Sequence, residues 1–247
     1  MLHRMEECCT DTKLWDISYV ENVGRVLVAT QDIEPEETVL EDNCLIAAPD
    51  GYPTCLGCLE GVDGRYSCPA CSWSSCGADE CSNTPSHQAE CALYKESNLV
   101  PVVRNYSQPN SMYAMVAVVR MMLLKRENPQ DYKVIEELMD HWEEMAEDKA
   151  VCDMVKYIAA FCRKKLGLDW VKNEDVQHAF GVLKTNGVGH TNKNGSKMCF
   201  LYPTVSLMSH SCAANLEIVD SPARSVKFVA KRKIKKGEEL TWRCFVI

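Results

Sequence analysis

Residues 55–91 read CLGCLEGVDGRYSCPACSWSSCGADECSNTPSHQAEC and hold seven of the 15 cysteines in this chain of 247 residues. The block is rich in Gly, Ser and Asp and shows little hydrophobic periodicity. It cannot bury a core unaided, so a bound metal must organise it, because metal binding and folding are coupled in such modules. A disulfide-rich exported domain would be smaller and would carry an export signal. The sequence therefore predicts a metal-binding module in a reducing compartment.

The candidate metal ligands of this block form four short pairs. They are Cys55-x2-Cys58, Cys68-x2-Cys71, Cys76-x4-Cys81 and His87-x3-Cys91. A short spacing brings both side chains of a pair to one ion, and eight donors make two complete tetrahedral sets. Thiolate and imidazole ligands favour zinc, so we expect two zinc ions. An iron–sulfur cluster and a set of independent thiols are the alternative interpretations.

Composition and charge limit the class of protein. Hydrophobic residues make up 46% and charged residues 25% of the chain, which is enough apolar material for a core. The longest apolar run, 112–119, is shorter than a membrane span, and the N-terminus lacks the apolar segment of a signal peptide. We expect no membrane association and a location in the nucleus, the cytoplasm or both. The net charge of −8 does not indicate a nucleic-acid partner.

Strand patterns lie at both ends of the chain, and helical patterns lie between them. The predicted strands are 24–29, 38–41, 44–47, 198–202, 216–219, 226–230 and 239–242. The predicted helices are 111–128, 131 to about 148, 151–166 and 173–186. This order predicts an α+β fold rather than alternating βαβ units.

The order of the eight ligands resembles the MYND zinc finger. In that family the first and third pairs bind one zinc ion, and the second and fourth pairs bind the other. The resemblance implies one site formed by Cys55, Cys58, Cys76 and Cys81, and a second formed by Cys68, Cys71, His87 and Cys91. MYND fingers bind other proteins, so it also implies a protein partner. Tyr66 and Trp73 would meet this partner, unless Trp73 packs against the core.

Three motifs outside the finger resemble the SET domain. They are GRVLVATQDI at 24–33, SHSCAAN at 209–215 and GEELT at 237–241. SET domains have a glycine turn near the methyl donor, an N-H-S-C-x-P-N motif, and G-E-E-L-T before a catalytic tyrosine. A SET domain split by a MYND finger is the SET–MYND architecture, and the order here matches it. The Cys71-Ser72-Trp73 form of the finger resembles the arthropod branch of that family.

This resemblance divides the chain into four segments. Residues 14–50 would form the N-terminal part of SET, 55–91 the finger, 95–170 a helical insert and 171–247 the C-terminal part. No post-SET segment is expected. The resemblance thus implies an α+β fold in which a SET-type β core is interrupted by a two-zinc MYND finger and a helical insert.

The same resemblance implies a site for S-adenosylmethionine. The residues at the donor-binding positions are Gly24, Arg25, Asn186, Ser209 and His210. Asn186 has a second interpretation, as a cap of the preceding helix. Ser209 stands where the family has Asn, and Cys244 stands at the position of the family tyrosine, so no catalytic residue is assigned. A thiol is a poorer hydrogen-bond donor than a phenol.

Two functions follow from these motifs. The first is an S-adenosylmethionine-dependent protein-lysine methyltransferase with a regulatory role, acting on a histone or non-histone protein. The alternative is a catalytically weak or inactive zinc-binding protein-interaction module. Ser209, Cys244 and the missing post-SET segment favour weak activity.

Overall fold

The computed structural model describes residues 13–192, 195–219 and 224–243. The chain forms two compact units. The first combines the described residues up to Asp42 with those from Leu207 onward, and the second runs from Asn43 to Ser206. Among the described residues, no helix combines the length and the apolar character that crossing a membrane requires.

Most strands lie towards the two ends of the chain and the helices lie between them, as predicted. The strands are β1 Trp15–Val20, β2 Gly24–Ala29, β3 Thr38–Asn43, β4 Ile46–Pro49, β5 Tyr66–Ser67, β6 Ser74–Ser75, β7 Val188–Thr191, β8 Lys197–Leu201, β9 Ser209–His210, β10 Leu216–Val219, β11 Ser225–Ala230 and β12 Thr241–Trp242. The helices are α1 Asp79–Ser82, α2 Pro85–Glu96, α3 Ser111–Glu127, α4 Pro129–Glu136, α5 Trp142–Met145, α6 Lys149–Leu166 and α7 Asn173–Asn186. The predicted α+β class is confirmed.

The first unit is built from small sheets. β1 and β2 form an antiparallel hairpin, β10, β11 and β3 form a three-stranded sheet in that order, and β9 pairs with β12 in parallel. Leu27, Ile33, Phe228 and Ile234 are completely buried and form its core. β1 was not apparent in the sequence because its apolar side chains do not share a buried face; Tyr19 is 77% exposed.

The second unit packs helices on an antiparallel sheet of order β4-β8-β7. α3 packs on β4, α2, α4 and α7, and its residues are buried on nearly every side from Tyr113 to Leu123. A helix that is apolar all round belongs in an interior. α3 is therefore the central helix of this unit. β7, which pairs with β8, is a strand that the sequence did not predict.

The predicted helix from 131 to about 148 is wrong in one respect, because it is broken into α4 and α5. α4 ends at Glu136, and His141, directly before α5, has a left-handed backbone with φ of 46°, which a continuous helix does not allow. α7 holds the segment between α4 and α5 in place. His178 contacts the Asp140 carboxylate at 2.8 Å through Nδ1 and the Ile135 carbonyl at 3.1 Å through Nε2. The break thus depends on contacts with residues about 40 positions away, which the local pattern does not encode.

Candidate functional site

Four cysteine sulfurs from two short segments meet at the first metal group. Cys55, Cys58, Cys76 and Cys81 have their sulfur atoms within 4.8 Å of one another. The Sγ atoms of Cys58 and Cys76 are 3.7 Å apart, and those of Cys76 and Cys81 are 3.5 Å apart. A tetrahedron with Zn–S bonds of about 2.3 Å has edges of about 3.8 Å. The sulfurs therefore have the spacing that tetrahedral zinc requires.

Local backbone geometry explains this arrangement. The amide of Leu59 donates to the Cys55 carbonyl at 2.7 Å, and Leu59 has a left-handed φ of 66°. This tight turn points the first two thiols to one side. Gly57 lies against Cys81, and a β-carbon at Gly57 would lie only 2.4 Å from the Cys81 carbonyl oxygen. Glycine is therefore needed for the first pair to approach its partner.

The second metal group has the same local design. Cys68, Cys71, His87 and Cys91 place their ligand atoms within 4.8 Å of one another. The Sγ atoms of Cys68 and Cys91 are 3.8 Å apart, and Cys71 Sγ is 3.8 Å from His87 Nε2. The amide of Ser72, also left-handed, donates to the Cys68 carbonyl at 2.9 Å. α2 carries both His87 and Cys91, so these ligands share one face of a helix.

The electrostatics of both groups fit a divalent cation. Burial raises the pKa of the Cys81 thiol to about 12 and also raises the pKa of Cys71. Burial opposes ionisation of Cys68 as well, but hydrogen bonds from His87 and neighbouring backbone amides lower its pKa to about 6. Several thiolates this close repel one another, and a bound Zn²⁺ removes that penalty because it binds the deprotonated form. The two groups are the same sets that the MYND resemblance implies.

The SET-like motifs of the first unit lie side by side. Ser209 and His210 form β9, where Ser209 lies opposite Thr241 and His210 opposite Trp242. The amide of Leu240 donates to the Leu27 carbonyl at 2.8 Å, so the 237–241 motif also pairs with β2. All three motifs therefore meet in one unit.

Asn215 fixes this arrangement from within. It is only 2% exposed, and its Nδ2 donates to the Glu239 carbonyl at 2.8 Å. Its Oδ1 accepts from the Thr241 amide, also at 2.8 Å. Ser209 donates its hydroxyl proton to the Glu239 carboxylate. Glu239 lies within the 237–241 motif, but nothing in the motif indicates that it is the partner of Ser209.

The predicted donor-binding residues are distributed over both units. Gly24 and Arg25 begin β2, and Gly24 has a φ of 97° that a residue with a side chain rarely adopts. Ser209 and His210 are in the same unit, whereas Asn186 ends α7 in the second unit. The Asn186 amide donates to the carbonyls of Met139 and Val182 at 2.9 and 3.2 Å. Cys244 lies outside the described residues.

Two buried charged residues near the second metal group were missed in the sequence. Glu90 is completely buried next to Cys91, and Arg120 is 6% exposed in the middle of α3. The sequence contains a signal for each of these two residues. Glu90 follows His87 by one helical turn, and Arg120 is the single charged residue in the apolar stretch 112–124.

The SET domain family model matches residues 24–244. This chain belongs to the SET domain family. The SET domain-containing protein SmydA-8, isoform A, of Drosophila melanogaster is 26% identical over 242 residues, which are 92% of this chain and 49% of that protein. The histone-lysine N-methyltransferase ASHR1 of Arabidopsis thaliana is 23% identical over 246 residues, with 91% and 48% covered. The chain spans about half the length of these curated relatives.

Solved structures support the same fold. The SET domain of LSMT bound to lysine and AdoHcy matches with a TM-score of 0.51 and 13% identity, over 96% of this chain and 50% of that chain. Rubisco LSMT bound to AdoMet matches with a TM-score of 0.50 and 13% identity, over 95% and 49%. The predicted SET-type fold with two cysteine-rich zinc-binding groups is therefore confirmed for this SET domain protein.

Proposed function

We propose that this SET domain protein is an S-adenosylmethionine-dependent protein-lysine methyltransferase. The observation that carries the proposal is the pairing of the 237–241 motif with both β2 and β9, which joins the three SET-like motifs in one unit. The similarity to ASHR1, a histone-lysine N-methyltransferase, and the ligands of the LSMT structures support the same activity. The substrate is proposed to be a histone or another protein.

The residues proposed to hold the donor are chemically suited to it. Gly24 lets the backbone approach a ligand closely because it has no side chain in its left-handed turn. The His210 ring is exposed, and Arg25 supplies a positive charge. The amide nitrogen of Asn186 is already hydrogen-bonded to the carbonyls of Met139 and Val182, so Asn186 is not part of the proposed donor site. When bound, S-adenosylmethionine would supply an electrophilic methyl group to a neutral lysine amine in line with the S–CH3 bond. That bond would break, S-adenosylhomocysteine would leave, and the methylated ammonium would lose a proton to solvent. The protein then contributes alignment and the exclusion of water rather than a covalent intermediate.

Ser209 favours a second candidate function, that of a binding module with weak or no activity. A serine hydroxyl has a single proton, whereas the family's asparagine has two donor hydrogens and an acceptor. The Ser209 proton is donated to Glu239, so none remains for a methyl donor. In this second candidate the zinc finger recruits a protein partner. Tyr66, which is 56% exposed on β5, is the aromatic residue of the finger that a partner could contact.

Calorimetric titration of the zinc-loaded chain with S-adenosylmethionine tests the proposed activity. We expect saturable binding of one donor per chain, and loss of binding in His210→Ala. His190→Ala, an exposed histidine in β7, is the matched control and should bind normally. An absence of binding by the natural chain would favour the module. A transfer assay on a protein array with labelled donor then identifies the substrate class.

The proposed location is the nucleus, the cytoplasm or both. The support is that the eight metal ligands include seven cysteines that must stay reduced to bind zinc. Fluorescence microscopy of the tagged chain tests this proposal. Accumulation in a secretory compartment would contradict it.

A further inference from the structure

The two metal groups differ in their exposure to solvent. In the first group Cys58 is exposed and Cys76 is half-buried. In the second group all four ligands are buried, including His87 at 3% exposure. A chelator or a competing ligand reaches an exposed thiolate more easily than a buried one. The groups should therefore release metal at different rates.

A buried carboxylate sets the orientation of the histidine ligand in the second group. His87 Nε2 points to the sulfur of Cys71, while its Nδ1 lies 3.3 Å from Oε1 of Glu90. The carboxylate accepts the Nδ1 proton and so leaves the Nε2 lone pair for a metal. Such outer partners fix the tautomer and the ring plane of metal-binding histidines.

Arg120 compensates the charge of Glu90. The carboxylate of Glu90 is completely buried, and a buried charge is costly unless it is paired and hydrogen-bonded. Arg120 binds it through two donors, Nε to Oε2 at 2.8 Å and Nη2 to Oε1 at 2.6 Å. This fork geometry is the strongest type of charged hydrogen bond that a protein offers to a carboxylate.

The remaining donors of Arg120 connect the metal group to the rest of the unit. Nη2 also donates to the Leu56 carbonyl at 2.7 Å, and Nη1 donates to the Ala47 carbonyl. Ala47 belongs to β4, and Leu56 lies between the first two cysteine ligands. A continuous path of hydrogen bonds thus runs from His87 through Glu90 and Arg120 to α3 and β4.

We propose that Glu90 and Arg120 are positioning residues of the second metal group, which make its zinc slow to exchange and couple its occupancy to the packing of α3 on β4. Zinc in the first group exchanges faster, because Cys58 is exposed and Cys76 is half-buried, whereas all four ligands of the second group are buried. Loss of the second ion removes the constraint on His87. The Glu90–Arg120 pair then no longer holds the finger in a fixed position relative to β4.

Metal release from the zinc-loaded full chain tests this proposal. An excess of chelator is added, and the appearance of zinc is followed with a chromogenic indicator. We expect a fast phase and a slow phase of about one ion each, with only the fast phase absent in Cys58→Ser. Glu90→Gln should accelerate the slow phase by about 10- to 100-fold, the factor by which loss of an outer partner typically weakens metal affinity. Glu96→Gln, exposed at the end of the same helix, is the control.

A single release phase in the natural chain would overturn the proposal, and so would an effect of Glu90→Gln on the fast phase alone. If Glu90→Gln fails to fold, hydrogen exchange on the natural chain replaces it. Backbone amides of α3 and β4 should lose protection in step with the slow phase. Protection that persists after both ions have left would contradict the coupling.

Discussion

The indole ring of Trp73 stacks on the phenol ring of Tyr94, with their centroids 4.3 Å apart and their planes inclined by 22°. Trp73 is 1% exposed, and its Nε1 donates to the Leu99 carbonyl at 2.8 Å. Tyr113 of α3 meets it edge-on at 5.1 Å. The expectation that Trp73 is free to meet a partner is therefore wrong. Its ring joins the finger to α2 and α3, because a large aromatic side chain contributes most when it is buried with its N–H satisfied.

Trp73→Ala should destabilise the zinc-loaded chain by about 3–5 kcal/mol, the usual cost of removing a buried tryptophan. Urea denaturation, monitored by circular dichroism, measures this loss of stability. Trp170→Ala is the control, because Trp170 is 38% exposed and should cost much less. Equal stability losses in the two variants would contradict the structural role of Trp73.

Cys68→Ser should reduce the zinc content from about two ions per chain to about one. Serine is a poor zinc ligand, and the binding free energy of such a site is also folding free energy, so the finger should lose its structure. Elemental analysis together with near-ultraviolet circular dichroism measures both effects. Cys152→Ser is the control, since Cys152 lies in α6 outside both metal groups. A natural chain with no zinc, or with three ions or more, would contradict the two-site assignment.

Glu238 predicts a pH dependence of stability in the first unit. Its hydrogen bond with Arg232 is the main cause that lowers its pKa to about 2, helped by the Lys235 amide. A lowered pKa in the folded state stabilises the fold above the ordinary value of 4.5, and this contribution is lost as the pH falls towards 2. Because Arg232 is half exposed, the contribution of this pair to the free energy of unfolding should stay below about 1 kcal/mol.

Thermal unfolding of the natural chain and Glu238→Gln at several pH values tests this dependence. We expect the natural chain to melt higher at pH 7 and the difference to shrink below pH 4. Glu217→Gln, an exposed position in β10, is the control and should show no such trend. A difference that grows as the pH falls would have the wrong sign.

Gly181→Ala should destabilise the second unit although alanine is the better helix former. A β-carbon at this position of α7 would lie 2.5 Å from the Asp140 carbonyl oxygen. The resulting shift should cost about 1–3 kcal/mol and outweigh the gain of roughly 1 kcal/mol in helix propensity. Thr185→Ala, at an exposed position of the same helix, should change stability by less than about 0.5 kcal/mol. A stabilised Gly181→Ala would show that α7 does not hold the α4–α5 connection closely.

Methyl transfer by the natural chain should be weak. Cys244 stands at the position of the family tyrosine and so lacks its hydroxyl. The hydroxyl proton of Ser209 is donated to Glu239 and is not available to the methyl donor. A misplacement of about 1 Å costs on the order of 100-fold in rate, so each change matters. Cys244→Tyr alone should recover part of the activity, and its combination with Ser209→Asn should recover more. Robust, stoichiometric transfer by the natural chain would show that both substitutions are harmless.

The metal ligands could be recognised from the sequence because their spacing is local. Two thiols separated by two residues must reach the same point in space, whatever the rest of the chain does, and Cys55 and Cys58 illustrate this. The end of α6 was predictable for the same reason. Gly167 provides the left-handed residue, with φ of 66°, that terminates a helix. The assignment of a methyl-donor site to Gly24 and its partners stays a prediction.

Contacts between distant parts of the chain account for the features that the sequence did not show. Trp73 in the finger is buried by Tyr94 and Tyr113, and Glu90 is neutralised by Arg120, thirty positions further along. A hydrophobic or charged residue has no local signature of the partner it will meet. Its burial depends on how α2, α3 and β4 pack, and that packing is a property of the folded chain.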